Sequence, residues 1–415
     1  MNISSKAVKP FVICGLASLF FFYEFVIQVS PSVMTHELMQ YFHIHALALG
    51  TASAFFYYAY TPMQLVGGLI YDRMGARLTL TLAALICAFG VLTVSLAGHV
   101  FYLGLGRFLA GAGSAFAFVG VLFLGAMWFK PKYFALIASL TEMMGCLGAI
   151  GGEAPVAAMV HRLGWQHSLL YLSVIGFVLA GFIWLFVRDR NHQGVQRGNS
   201  LRESLRAILH NKQLWAIGLY ALLVFIPISA FAVLWGVPFL MARYTISATQ
   251  AGSLCSMIWL GMGLGSIAAG AVSDMISRRK LPLLLCGVLG VVVSSMVIYA
   301  HVSLVGMYVL LFLYGVATSG QALSFVVVRE NTERENVGAA MGFNNLLVVV
   351  SGAISQPLVG FLLGQVWDGK IVNNIPLYSV VDYQQALIVL PLSYLLGTLI
   401  CAFAIKETFC RQQKP

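Results

Sequence analysis

The chain has 415 residues, of which 60% are hydrophobic and only 9% charged, and its mean hydropathy is +0.88. Soluble domains carry about 25% charged residues and lack long uninterrupted apolar runs, so a soluble enzyme or binding domain is excluded. The net charge of +10 would suit nucleic acid only if it formed one surface, and its placement along the chain decides against that.

Apolar segments long enough to cross a hydrocarbon core of roughly 30 Å fall at 11–33, 46–70, 77–97, 100–128, 134–159 and 166–187. The runs are continuous rather than alternating, which predicts helices and not the short strands of a barrel. Lys6 and Lys9 before the first run imitate a signal peptide. That run is long and has no small-residue cleavage site, so it reads as an uncleaved first span. The polar stretch RDRNHQGVQRGNSLRESLRAILHNKQ fills 188–213, and six more apolar segments follow at 214–241, 250–272, 281–300, 303–328, 336–364 and 383–405. The expected fold is an all-α polytopic membrane protein with twelve transmembrane helices. Its expected parts are a six-helix half over 1–187, a cytoplasmic central loop over 188–213 and a second six-helix half over 214–415.

Basic residues in the loops set the orientation. With a cytoplasmic N-terminus, that side holds Lys6, Lys9, Arg73, Arg77, Lys130, Lys132, the basic residues of the central loop, Arg278, Arg279, Lys280, Arg329, Arg334, Lys406, Arg411 and Lys414. The other side keeps Arg162, Arg243 and Lys370, while Arg107 falls inside a span. Both termini are therefore expected to be cytoplasmic, with the lipid bilayer and its anionic headgroups as the partner of this charge and no nucleic acid. The seven cysteines are scattered, nearly all within apolar runs and without metal-ligand spacing, so they read as small core residues. No metal and no cofactor is expected, and the protein is expected to be a monomer.

The halves echo each other. After span 2 comes GGLIYDRMGARLTL and after span 8 comes AGAVSDMISRRKLPLL, each with small residues, an Asp and then basic residues. A duplicated six-helix unit explains this, and parallel halves are a transporter architecture. GGLIYDRMGARLTL resembles the signature loop between helices 2 and 3 of the major facilitator superfamily, through Gly68, Ile70, Asp72, Arg73, Gly75, Arg77 and Leu80. Ile70 for the usual Leu and Ala76 for a basic residue are mild departures. GRFLAGAGSAF resembles the superfamily's R-x-x-x-G-x-G segment through Arg107, Gly111 and Gly113.

FFYEFVIQVSPSVM and GAMWFKPKYFALIASLTEMMGCLGAIGGEAPVAAMVHRLGW resemble the proteobacterial intraphagosomal amino-acid transporters. That resemblance implies a secondary transporter for a small polar solute, an amino acid or similar metabolite, in the bacterial inner membrane, with proton-coupled uptake. The alternatives are an organic-anion, siderophore or drug antiporter or exporter, or a transporter-like solute sensor. In the superfamily the signature loop stabilises one conformation. Gly68, Asp72, Arg73, Gly75 and Arg77, with Asp274 and Arg278 in the second half, are therefore the expected conformational latch. Gly68 is expected to permit close helix packing, as small residues do in membranes. The glycines of GCLGAIGGEAP and GMGLGS lie inside apolar spans and read as packing residues rather than an antiport motif or a dinucleotide loop.

Four ionisable residues lie within spans: Glu24, Arg107, Glu142 and Glu153. A charge at the bilayer centre costs at least about 2.5–3.5 kcal/mol unless it meets a partner or a water-filled cavity. Depth counted at about 1.5 Å per residue puts Glu24, Arg107 and Glu153 at similar levels, so Arg107 is expected to pair with Glu24 or Glu153. Two uses compete: a structural ion pair, or Arg107 binding a solute carboxylate while a glutamate exchanges H+. Gln28 shares the face of Glu24 one turn on. Tyr57, Tyr58, Gln64, Trp235, Trp259, Asn344 and Asn345 are polar or aromatic at mid-depth and complete the candidate pocket, with Pro31, Pro227 and Pro238 as possible helix breaks. A membrane enzyme would need His, Cys or acidic residues clustered at one depth, and the pattern offers none.

Overall fold

A computed structural model describes residues 5–130, 133–189, 201–333, 336–372 and 375–412, without the side chains of 5–9, 65, 69, 134–135, 201–205, 372 and 375. The expectations placed on Lys132, Arg190, Arg197, Arg334, Lys414 and the middle of the central loop lie outside these residues. Two compact units emerge, Met1–Met34 with Ala52–Val195 and Thr35–Thr51 with Gln196–Pro415.

The first unit runs through α1 (Ser5–Val29), a 3-10 turn (Ser30–Met34), most of α3 (Ala46–Ser95), α4 (Val100–Ser114), α5 (Ala117–Trp128), α6 (Phe134–Gly152), α7 (Ala154–Leu163) and α8 (Trp165–Phe186). The short α2 (Thr35–Phe42) and the start of α3 belong to the second unit. That unit continues with α9 (Leu201–His210), α10 (Lys212–Pro227), a π-helix (Ile228–Trp235), α11 (Gly236–Tyr244), α12 (Ala248–Met275) and α13 (Lys280–Tyr299). It ends with α14 (Leu304–Thr318), α15 (Gly320–Glu330), α16 (Val337–Val366), a two-residue-stranded hairpin, α17 (Val380–Ala386) and α18 (Val389–Phe403). Among the described residues eleven helical segments are long and apolar enough to cross a membrane. The chain is an all-α membrane protein.

Spans 2 and 3, expected as separate helices, are two helices within the stretch labelled α3, separated at Gly75, whose backbone is not helical (φ 76, ψ 167). Several spans are broken at mid-length. Span 4 breaks between α4 and α5, where the Phe116 carbonyl accepts from the Gly120 amide at 2.9 Å and from Tyr71 Oη at 2.7 Å. Span 5 breaks at Glu153, where Pro155 follows at the start of α7 and cannot donate to the preceding turn. Span 7 carries the π-helix just after Pro227.

Close packing follows the glycines. Gly148 on α6 lies so near the Phe22 carbonyl of α1 that a side chain there would overlap it. Gly111 on α4 meets the Phe56 carbonyl of α3 in the same way, and in the second unit Gly261 on α12 and Gly315 on α14 each meet the partner's backbone. The glycine-rich segments of spans 5 and 8 thus act in packing. Gly68 does not: it is exposed, with nothing near enough to touch an added Cβ.

Candidate functional site

In the first unit α1, α3, α4 and α6 bring one polar cluster together. Arg107 on α4 is 3% exposed. Its Nη1 donates to the Ile27 carbonyl at 2.9 Å and its Nη2 to the Gln28 carbonyl at 3.4 Å, at the C-terminal end of α1. The guanidinium lies 4.6 Å from the Phe56 ring centroid, and its Nε has no hydrogen-bond partner. A cation is well placed there, since unpaired carbonyls give a helix C-terminus partial negative charge. Neither expected counter-charge is used: the ion pairs among the described residues both involve Arg279. Glu24 is buried, with Oε2 unpartnered. Glu153 is buried at the α6–α7 break and accepts from Ser32 Oγ at 3.3 Å. Backbone carbonyls three and four residues beyond Glu24 hold Arg107 instead.

Gln28 Nε2 donates to Tyr57 Oη at 3.2 Å, so Gln28, Tyr57 and Arg107 form one cluster at the end of α1. Glu142 on α6 is partly buried and lies within electrostatic reach of Glu24. Tyr60, absent from the sequence-based set, is buried and within reach of Glu24, Glu142, Tyr57 and Gln64. Tyr58 does not belong here: it is 42% exposed and stacks edge-on with Phe55. Positions 57, 60 and 64 share a helix face and 58 sits about 100° away, a spacing that could have found Tyr60.

In the second unit the expected residues do not converge. Trp235 is buried and its Nε1 donates to the Gln356 carbonyl at 3.2 Å. Asn344 lies twelve residues, about 18 Å, back along α16. Its Nδ2 donates to Ser324 Oγ at 2.9 Å. Asn345 is partly buried on the adjoining face, and Trp259 is buried in α12.

The loop between spans 2 and 3 is clamped by a residue that its own sequence does not contain. Asp189, just past α8, accepts from the backbone amides of Ala76 at 2.6 Å and Arg77 at 3.2 Å. A Cβ on Gly75 would stand 2.7 Å from the Asp189 carboxylate, so both the positive φ and the contact require glycine. Arg77 stacks 3.9 Å over the Trp184 ring and donates from Nε to its carbonyl at 2.9 Å. Asp72 and Arg73 are exposed, and neither has an ion pair among the described residues.

The matching loop of the second unit is built alike. Ser277 has the positive φ (50°), and Glu407, past α18, accepts from the amides of Arg279 at 2.8 Å and Lys280 at 3.0 Å. The cation that pairs with Asp274 at 2.6 Å and Glu330 at 2.9 Å is Arg279, which is buried, not the expected Arg278, which is exposed. Counting from Asp274 as from Asp72, Arg279 is the counterpart of Arg77.

The family model described as Major Facilitator Superfamily matches residues 15–356 and again 222–409. A hexuronate transporter of Bacillus subtilis (strain 168) is 25% identical over 349 residues, covering 78% of this chain and 80% of its own length. A probable galactarate/D-glucarate transporter of Escherichia coli (strain K12) is 22% identical over 382 residues, covering 80% and 82%. A putative glycerol-3-phosphate transporter of Arabidopsis thaliana is 27% identical over 369 residues, covering 79% and 70%. Among solved structures, a bacterial homologue of the human lysosomal transporter Spinster superposes with a TM-score of 0.76 at 12% identity, covering 96% of this chain and 97% of that one. This chain belongs to the major facilitator superfamily, and it is a membrane transporter rather than an enzyme.

Proposed function

We propose that the protein carries a small organic anion across the bacterial inner membrane by alternating access, coupled to H+. Arg107 receives the acidic group of the solute and Glu24 exchanges the proton. The observation that carries this reading is the buried Arg107: it is held by two carbonyls, has no carboxylate partner among the described residues and keeps an unpartnered Nε. Arginine's planar fork suits carboxylate, sulfonate and phosphate groups. Gln28, Tyr57 and Tyr60 around it supply neutral hydrogen-bonding groups. The relatives are named for hexuronate, galactarate or glucarate, and glycerol 3-phosphate, all anions, which favours an organic anion over the amino acid that the span 1 and span 5 resemblance suggests.

The coupling reading rests on Glu24, whose buried carboxylate makes no ion pair among the described residues and has Glu142 within electrostatic reach. The loop clamps around Gly75 and Ser277 serve as the conformational latch, with Asp72, Arg73 and Arg77 in one half and Asp274 and Arg279 in the other. Uptake by proteoliposomes tests the whole reading. Labelled glucuronate, glycerol 3-phosphate and a panel of amino acids are offered with and without an acidic exterior. We expect an acid to accumulate only with the gradient, and Arg107→Gln to abolish that uptake. Accumulation of amino acids with no competition from any organic acid would replace this reading with the amino-acid one.

A further inference from the structure

Two kinds of contact hold the Arg107 guanidinium, and only one of them uses its N–H groups. At its edge the Ile27 and Gln28 carbonyls accept from Nη1 and Nη2. On its face it stands over the Phe56 ring, 4.6 Å from the centroid and well inside the roughly 6 Å reach of a cation–π attraction. Phe56 belongs to the aromatic run Phe55–Tyr58 of α3, in which Phe55 and Tyr58 are exposed while Phe56 and Tyr57 are fully buried. A glycine brings the ring in. Gly111 follows Arg107 by four residues and so shares that face of α4. Lacking a side chain, it lets the Phe56 carbonyl approach to where a Cβ would overlap it. Arg107, Gly111, Phe56 and the end of α1 all lie within the first unit.

We propose that Phe56 is a positioning residue: its ring holds the Arg107 guanidinium ready for the acidic group of the solute. The inference rests on the organic-anion reading and adds the group that keeps the binding cation in place. A cation buried in a span needs a partner, and two kinds could serve. A carboxylate would fill the guanidinium fork and cancel its charge, leaving little to attract an anion. The face of an aromatic ring attracts the cation through its quadrupole, carries no net charge and takes no N–H. Arg107 therefore keeps both its charge and an unpartnered Nε for the solute. The glycine four residues after the arginine acquires a purpose beyond packing, since it is what seats the ring.

Phe56 also stacks on Tyr60, with 5.8 Å between centroids, so packing alone is its competing use. The test keeps the shape of the ring and changes its electrons. Phenylalanines bearing one, two and three ring fluorines replace Phe56 in turn, because fluorine drains negative charge from the ring face at little cost in size. Phe56→Leu is the ringless variant, and melting temperature checks the folding of each. Proteoliposome uptake of labelled glucuronate and glycerol 3-phosphate is then measured against concentration. We expect the half-saturating concentration of the transported acid to climb with each fluorine, to about tenfold at three, and at least as far in Phe56→Leu. The maximal rate and melting temperature of the fluorinated proteins should stay near wild type. A half-saturating concentration that ignores fluorine number overturns the inference, and so does one that rises only in step with a falling melting temperature. If Arg107→Gln abolishes uptake and the fluorine series is flat, this inference alone falls. If wild type takes up neither acid, the organic-anion reading falls and the inference with it.

Discussion

Glu24 can lose its charge without leaving a buried cation behind, and this separates its two uses. Breaking a buried ion pair typically costs 3–5 kcal/mol because the surviving charge is stranded. Arg107 is held by carbonyls instead, so Glu24→Gln should leave the melting temperature unchanged or higher. Concentrative uptake should fall and its pH dependence flatten, while counterflow exchange persists. A melting temperature several degrees lower would return Glu24 to a structural role. Gly75→Ala makes the opposite kind of prediction. Left-handed backbone costs a non-glycine residue roughly 1–2 kcal/mol, and the added methyl must also displace the Asp189 carboxylate. The variant should express poorly and transport slowly, with solute affinity in detergent unchanged, and a large affinity loss would count against a conformational role. At this scale the sequence was partly readable. Glu24, Gln28, Tyr57 and Arg107 stood out as polar residues in apolar spans, and the structure gathers them. Tyr60 is missing from that set, although its spacing from Tyr57 and Gln64 puts it on their helix face. Asp189 was invisible because its partners are backbone amides more than a hundred residues away.

At the scale of elements, helix ends carry most of the specific chemistry. Arg107 sits at the C-terminal end of α1. Arg243 donates to the Val297, Ile298 and Ala300 carbonyls at the end of α13. Asp189 and Glu407 cap the helical starts at Ala76 and Lys280. Burial alone would push the Glu407 carboxyl up, but amides of Arg279, Phe409, Lys280 and Thr408 hold it below the usual range. A depressed folded-state value means that its stabilisation is complete above the ordinary glutamate range near pH 4.5 and fades as pH falls through the lower folded value. Glu407→Ala should cost about 1 kcal/mol at pH 7, as lost caps do, and the difference from wild type should shrink in acid. A pH-independent difference in thermal melts would rule out the carboxylate as its source. The long apolar runs made the spans legible, and Pro227 marked the change of helix in span 7. The π-helix was not legible: the hydrogen bonds that tie it to α16, from Trp235 Nε1 to the Gln356 carbonyl and from Gln356 Nε2 to the Ser229 carbonyl, join residues more than a hundred positions apart. Choosing Arg278 over Arg279 was an error of one residue in register, which pairing alone resolves.

For the whole molecule, the loop bias of Lys and Arg predicts that both termini share one side of the membrane. Single cysteines at Arg162 and Lys370 should react with an impermeant maleimide from outside intact cells, and one at Arg278 only after permeabilisation. Labelling of Arg278→Cys from outside would invert the topology. The internal repeat, faint in sequence as two Asp-basic loops, is plain in three dimensions. Each unit has a positive-φ residue at the loop and a carboxylate from past its last long helix on the amides beyond. That arrangement has a consequence for synthesis. Asp189 follows the amides that it caps by 112 and 113 residues, and Glu407 follows its own by 127 and 128. Neither loop can be tied until the ribosome has released the end of its own half. Each half therefore inserts as an open bundle and locks with its final residues. A nascent chain arrested at 180 should leave the Gly75 loop open to protease, and one arrested at 230 should protect it while the second half is still unmade.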